Sequence, residues 1–253
     1  TQLPVFAPGQ YQGPAGASPQ ISYVDGQPRV TTAGAYHPHF RQAGFSQPVT
    51  LGDPTKVHLQ EGRIRANQWK FVDLDGNGVL DLAVGIDFWG DYGWDDAWDA
   101  NGKWKNGPLR GYVYHKRNEG TNEAPRYGEP VKLLTTEGKP IDVFGMASPS
   151  FADFDGDGDL DLLCGEFIDG FTYFQNVGTR TEPRFAPGRE LKAGGQKLTM
   201  ELCMITPVAV DFTGDGHYDL VVGDEDGRVA LVEGTGEVID GVPQFLPPRY
   251  FRQ

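Results

Sequence analysis

Five carboxylates, Asp153, Asp155, Asp157, Asp159 and Asp161, stand within nine residues of the stretch FADFDGDGDLDLLCG, which begins at Phe151. Apolar residues flank them on both sides. Acids this close repel one another and lose solvation together, so a folded chain that concentrates them calls for a counter-charge. The run D-x-D-G-D-G-x-x-D suits a hard cation. Calcium takes about six to eight oxygen ligands, and a tight loop supplies them from alternate side chains plus one backbone carbonyl. Gly156 and Gly158 permit the positive φ angles of such a loop. In a single copy, the same spacing also matches an ordinary acidic hairpin turn.

The stretch recurs as FVDLDGNGVLDLAVG from Phe71 and AVDFTGDGHYDLVVG from Ala209. Each copy has an apolar lead-in, an acidic Gly-rich loop, then Asp-Leu, two further residues and Gly. The first loop offers Asp73, Asp75, Asn77 and Asp81 with the carbonyl of Val79. The second offers Asp153, Asp155, Asp157 and Asp161 with the carbonyl of Asp159. The third offers Asp211, Thr213, Asp215 and Asp219 with the carbonyl of His217. The recurrence makes structural Ca2+, two or three ions in all, the expected occupant. Having one carboxylate fewer than the second, the third loop is expected to bind more weakly. A degraded copy, SPQISYVDGQPRVTTAG from Ser18, keeps only Asp25 and Gly26, and no metal is expected there.

At 253 residues the chain suits one domain or two with a substantial core. Gly and Pro are abundant, aromatics are frequent and long helical periodicity is absent, which fits many short strands joined by turns. The net charge of −13 makes nucleic acid and anionic membrane poor partners. Three calcium ions would leave about −7. No apolar run is long enough for membrane insertion. No signal peptide is visible, but the chain begins within an element, so a removed one is compatible with it. Calcium loops of this kind favour a secreted protein, extracellular or periplasmic, where the ion is plentiful. Cys164 stands where Val84 and Val222 stand in the other copies and reads as a small buried hydrophobe. A disulfide between Cys164 and Cys203 is left open.

The repeat extends past the loops. Aromatic runs follow at GYVYHKRNEGTNEAPRYGEP from Gly111, GFTYFQNVGTRTEPRFAP from Gly170 and GRVALVEGTGEVIDGVPQFLPP from Gly227. Each closes on an aromatic residue and a nearby proline: Tyr127 with Pro130, Phe185 with Pro187, Phe245 with Pro247. Phe45 with Pro48 and Phe6 with Pro8 repeat the signature earlier. Each unit therefore holds four short strands: A before the acidic loop, B after it, C in the aromatic run and D after the proline. Tandem four-stranded units of about 40 to 60 residues predict an all-β fold, a β-propeller. Solenoids and sandwiches are the alternatives, disfavoured because the A and B runs read as buried on both faces. The acidic loops resemble those of the FG-GAP or VCBS repeat family, whose propeller blades carry calcium between their first two strands. The resemblance covers blades at about 18–60, 66–137, 147–193 and 205–250, and it implies that 1–253 is a single propeller domain or a segment of one. The opening LPVFAPGQ and the closing VPQFLPPRYFRQ both read as D strands, one more than a ring of about four blades needs. Further blades from missing sequence or from another chain would resolve that surplus, and about seven blades would be common for the resembled family.

In a propeller the A–B and C–D connections lie on one face, and the B–C and D–A connections on the other. The metal loops would then staple blades, away from a site at the opposite mouth. One B–C connection, residues 86–111, is an insertion holding Trp89, Trp94, Trp98 and Trp104, four of the five tryptophans, beside Asp87, Asp91, Asp95, Asp96 and Asp99. A long aromatic loop on a repeat scaffold reads as functional. Its rings would stack on sugar C–H faces and its acids accept hydroxyl hydrogen bonds; the alternative is a self-packed loop. A second B–C connection, residues 33–44, carries Tyr36, His37, His39 and Arg41. Histidines at i and i+2 point the same way in an extended strand and suit general base and acid. The connector EGRIRANQWK adds Arg63, Arg65, Asn67 and Gln68 to that face. His115 and His58 read as structural.

Two functions are expected. The first is a secreted carbohydrate-active enzyme cleaving a uronate polysaccharide or glycoconjugate. Several polysaccharide lyases resemble it in using calcium-bearing propellers. That resemblance implies β-elimination, with Arg65 quenching the uronate carboxylate. His37, His39 or Tyr36 would remove the C5 proton and protonate the leaving oxygen. Trp89, Asp91, Trp94, Asp95, Trp98, Arg41 and Arg63 would hold the substrate. Hydrolysis would need two carboxylates at a defined separation, with Asp91, Asp95 and Asp96 as nominal candidates. The second function is a non-catalytic glycan- or protein-binding module, since FG-GAP propellers also serve recognition, as in integrin α-chains. No nucleophile elbow, zinc motif or phosphate loop occurs in the sequence.

Overall fold

The described part of the computed structural model comprises residues 3–14, 18–57, 64–88, 99–101 and 109–252. Its strands are short and antiparallel in the main. The first sheet runs β1 (Gln20–Val24), β2 (Gln27–Thr32), β3 (Ala35–Tyr36), β4 (Val49–Thr50), with the short helix α1 (Phe40–Ala43) between its last two strands. The second runs β5 (Ile64–Val72), β6 (Asp81–Phe88), β7 (Arg110–Lys116), β8 (Val131–Lys132), and β9 (Asp142–Phe144) also pairs with β7. The third runs β10 (Ser148–Ala152), β11 (Asp161–Gly165), β12 (Phe171–Phe174), β13 (Arg189–Glu190). After β14 (Lys192–Ala193) and β15 (Gln196–Lys197), the fourth sheet begins with β16 (Thr206–Val210), β17 (Asp219–Gly223) and β18 (Val229–Val232). The chain then makes β19 (Gly234–Ile239) and β20 (Val242–Phe245) before β21 (Arg249–Tyr250) completes that sheet beside β18.

The fold is thus all-β, with several antiparallel four-stranded sheets, one per unit of the repeat. Each fourth strand follows the proline of the aromatic–proline signature, as the sequence predicts: β4 after Pro48, β8 after Pro130, β13 after Pro187 and β21 after Pro247. Proline cannot donate to a ladder, so it marks where an edge strand starts. The central second strands read as continuous apolar runs because both of their faces are covered; every residue of β11 is buried, and so is all of β6 except Phe88. Registers repeat as well. Phe71 pairs with Leu82, Phe151 with Leu162 and Ala209 with Leu220. In the first sheet Val24 pairs with Gln27 across a two-residue turn, with Asp25 and Gly26 both at positive φ. A tight hairpin turn therefore replaces the acidic loop there.

Successive sheets pack against one another. One core, with Trp69, Leu82, Val84 and Leu51, lies between the first and second sheets. A second, with Val113, Ala147, Leu162 and Cys164, lies between the second and third. A third, with Leu163, Tyr173, Leu220 and Ala230, lies between the third and fourth. The first strands are neighbours in closed order: β1 touches β5, β5 touches β10, β10 touches β16 and β16 touches β1.

The glycine that ends the Asp-Leu-x-x-Gly run serves this packing in two of the three copies. A Cβ on Gly85 would lie 2.0 Å from the Ala147 carbonyl oxygen, and one on Gly165 would lie 2.4 Å from that of Ile205. In each case the neighbour is the backbone leading into the next sheet's first strand. In the first sheet Thr31 holds the corresponding register position and donates its hydroxyl to the Trp69 carbonyl. At Gly223 the nearest atom is the Thr206 hydroxyl, 3.1 Å away.

Two expectations need correction, and one open question closes. The aromatic run after Gly227 is not one strand. It divides into β18 and the β19–β20 hairpin, and β20 pairs in parallel with β14 to form a further sheet, β15-β14-β20-β19. The opening D-like segment builds no sheet of its own; Val5 forms a parallel bridge with Arg252, and the rings of Phe6 and Phe251 meet edge-on at 5.2 Å. No disulfide joins Cys164 and Cys203, and Cys164 is fully buried in an apolar core, where desolvation raises its pKa. No helix among the described residues is long and apolar enough to cross a membrane.

Gly165→Ala is expected to lower unfolding free energy by about 1–3 kcal/mol, the usual cost of overpacking, and Gly223→Ala by less. Urea denaturation of the two variants checks this. Equal losses would show that the glycine does not serve sheet–sheet contact.

Candidate metal centres

The three acidic loops share one construction. Their first aspartate turns inward and accepts loop N–H groups. Asp73 takes those of Asn77 and Gly78, Asp153 those of Gly156 and Gly158, and Asp211 those of Gly214, Asp215 and Gly216. Paired glycines at positive φ let the chain curl around it: Gly76 and Gly78, Gly156 and Gly158, Gly214 and Gly216. The fifth-position side chains, Asn77, Asp157 and Asp215, each accept the N–H two residues on, from Val79, Asp159 and His217. The ninth-position aspartates, Asp81, Asp161 and Asp219, lie fully buried beneath the loops. One oxygen of each accepts a backbone N–H just past the third strand, from Asn118, Asn176 and Gly234. The other takes the His115 Nε2 at 2.7 Å in the first loop, and the N–H of Phe154 or Phe212 in the others.

The loops differ in charge compensation. In the first, Arg117 Nη2 reaches Asp75 at 2.9 Å, and Arg180 Nη2, from the neighbouring sheet, reaches Asp73 at 3.2 Å. In the second, the place of Arg117 is taken by Gln175, whose amide donates to Asp155 at 2.7 Å and accepts from Arg189. In the third the place belongs to Glu233, which pairs with Arg249. Only at Asp153, Asp155 and Asp157, among the described residues, do three acids bring ligand oxygens within 4.8 Å of one another. Burial pushes Asp155 up, Asp159 to about 6 with help from Asp157, Asp155 and Asp153, and Asp161 to about 7.

Calcium fits this donor set. The available groups are hard oxygens, and several buried ones have no hydrogen-bond partner: Asp159 Oδ1 in the second loop, Asp75 Oδ1 in the first and Thr213 Oγ1 in the third. In the second loop Asp153, Asp155 and Asp157 would hold the ion. Arg117 and Arg180 already neutralise the first loop, a difference the loop sequences do not show. Aligning the third strands would have exposed Arg117, Gln175 and Glu233 at one position. Arg180, from another sheet, had no local signal.

The predicted catalytic residues do not form one group. The connection between β2 and β3 is only residues 33–34, so 33–44 is not a B–C loop. His37 follows β3, its N–H bonded to the Val30 carbonyl, at the same end of the sheet as the Asp25–Gly26 turn. It therefore lies on the acidic-loop side. Nor do His37 and His39 point the same way, because Pro38 and the start of α1 break the extended path. His37 is buried, edge-on to Phe45, with Nε2 3.0 Å from the Thr32 hydroxyl; Nδ1 is enclosed without a partner, and desolvation lowers its pKa. His39 is exposed. Tyr36, His37 and Arg41 do line one cleft of about 480 Å3, together with Arg29, which the sequence reading passed over.

Trp89, Asp91, Trp94, Asp95, Trp98 and Arg63 lie outside the described residues, as do Asp96, Trp104, His58 and the side chain of Arg65. The described ends of the 86–111 insertion, Phe88 and Arg110, pair at the end of their sheet far from the acidic loop, as predicted for a B–C connection. Asp87 is buried within β6, Asp99 accepts the Asn101 N–H, and Asn67 and Gln68 are buried in β5. No family model matches the chain, and no curated protein matches it.

Without metal, Asp159 and Asp161 favour their neutral forms in the folded protein, because their folded pKa values lie above the ordinary value of about 4. Stability is therefore lost as pH rises from about 4 through 7, and calcium, which favours the ionised forms, offsets that loss. Between pH 5.5 and pH 8 the gain in melting temperature from calcium over chelator is expected to widen. A calcium gain independent of pH would contradict this. Asp155→Asn is expected to shrink the gain, and Arg117→Gln to add a calcium-binding event detectable by titration calorimetry.

Proposed function

We propose that this chain is a calcium-stabilised β-propeller of four blades, a secreted module that recognises a polysaccharide or glycoconjugate. The observation that carries the metal reading is the convergence of Asp153, Asp155 and Asp157 with no Lys or Arg among the described residues paired to them. Four blades rather than a larger ring are supported by the closed order of contacts among β1, β5, β10 and β16. The bridge from Val5 to Arg252 gives the surplus segment a place beside the fourth sheet without further blades. The saccharide class rests on the tryptophans and aspartates of residues 86–111. Secretion rests on the calcium loops.

Elimination at a uronate is the second reading, favoured by the cleft that Tyr36, His37, Arg29 and Arg41 share. Recognition is placed first because the unpartnered nitrogen of His37 is enclosed and His39 is exposed elsewhere. A base must reach the proton it abstracts.

A panel of uronate and neutral polysaccharides separates the two. Saturable, calcium-dependent retention without ultraviolet absorbance from an unsaturated uronate product is the expected result. Rising absorbance that His37→Ala abolishes would establish elimination instead. Neither retention nor product on any glycan would refute the carbohydrate reading.

A further inference from the structure

Lys70 of β5 is 3% exposed, and its ammonium lies where the first strands of the sheets meet. It donates to the Ile21 carbonyl of β1 at 2.8 Å and to the Pro207 carbonyl of β16 at 3.3 Å. That uses two of its three N–H donors. No acidic side chain among the described residues forms an ion pair with it, and desolvation alone brings its pKa down to about 7. Burying an ammonium without a counter-charge is costly, whereas its two carbonyl partners offer only dipoles.

Beside Lys70 is a cavity of about 190 Å3. Ser22 of β1 and Ser150 of β10 also line it, both buried. The three residues occupy one register position, three before Asp25, Asp73 and Asp153. Each serine oxygen accepts an N–H from a neighbouring first strand, Ser22 from Phe71 at 2.8 Å and Ser150 from Ala209 at 2.9 Å. Each hydroxyl hydrogen remains to be donated, and no protein acceptor for it occurs among the described residues. The acids of the lining do not compete for the ammonium. Asp73 is held by Arg180 and two loop N–H groups, and Asp25 is exposed at its turn. Lys70, Ser22 and Ser150 thus line one cavity, with one ammonium donor and two hydroxyl hydrogens unspent, and Arg180 is a second cation of its lining.

We propose that this cavity binds a small monovalent anion, a halide or a carboxylate of formate size, held by the Lys70 ammonium and the Ser22 and Ser150 hydroxyls. The anion supplies the counter-charge the protein omits and accepts the unspent donors. At about 30 Å3 per water, there is room for it and a few waters. It would tie three of the four first strands at a point where Val72, Ala152 and Ala209 of the apolar cores also line the cavity.

Crystals of the whole chain soaked in sodium bromide test this directly. Anomalous diffraction is expected to place bromide within hydrogen-bonding reach of Lys70 Nζ. A cavity without an anomalous peak, whether bromide binds elsewhere or nowhere, overturns the proposal. In solution, chloride replacing gluconate at fixed ionic strength, with calcium supplied as gluconate, is expected to raise the melting temperature saturably. Lys70→Met is expected to lose that response while keeping its response to calcium. An equal chloride response in the variant also overturns the proposal, and if the variant does not fold, the bromide map decides.

Discussion

At the head of the second strand in three of the sheets, a carboxylate is wholly buried and its oxygens are filled by N–H groups or an imidazole. Asp81, Asp161 and Asp219 each clasp the backbone just past the third strand, and the last two also clasp the loop above them. Hydrogen bonds to a charged acceptor are stronger than neutral ones, and a buried acid left unsatisfied is costly. Once these clasps form, the loop is held against the sheet and its remaining acids have no direction to go but toward one another. The repulsion that marks the loops in sequence is therefore a product of the sheet beneath them.

What neutralises that repulsion varies with a single position at the end of the third strand. Arginine there gives the first loop a covalently attached cation. Glutamine in the second loop supplies hydrogen bonds without charge, with Arg189 one residue behind it. Glutamate in the third is engaged by Arg249. The scaffold is the same each time, so loops that look alike in sequence have different appetites for a cation.

Much of the architecture was legible because it follows from local rules. Prolines at the start of fourth strands and glycine-bearing turns recur in every unit, apolar second strands in the last three, and the sheets form where those signals stand. The β19–β20 hairpin was hidden because Val238 and Val242 continue the apolar run of β18. Only the turn at Asp240 and Gly241, both at positive φ, separates the two strands. The histidines were misplaced because a one-strand geometry was assumed across Pro38. Arg180 and Lys70 were invisible for a different reason: their partners come from other sheets, at separations no local pattern records.

The bare glycines at two sheet boundaries also bear on how the molecule yields. Gly85 and Gly165 let backbone press on backbone, and the first boundary is fastened by Thr31 on the Trp69 carbonyl. Between the fourth sheet and the first the opening segment makes the contact: Val5 bridges to Arg252, and a Cβ on Gly44 would lie 2.2 Å from the Gln12 carbonyl oxygen. Residues 3–14 thus strap the fourth sheet to the first, so that boundary would open when the strap peels away, while the boundaries pressed shut at Gly85 and Gly165 hold.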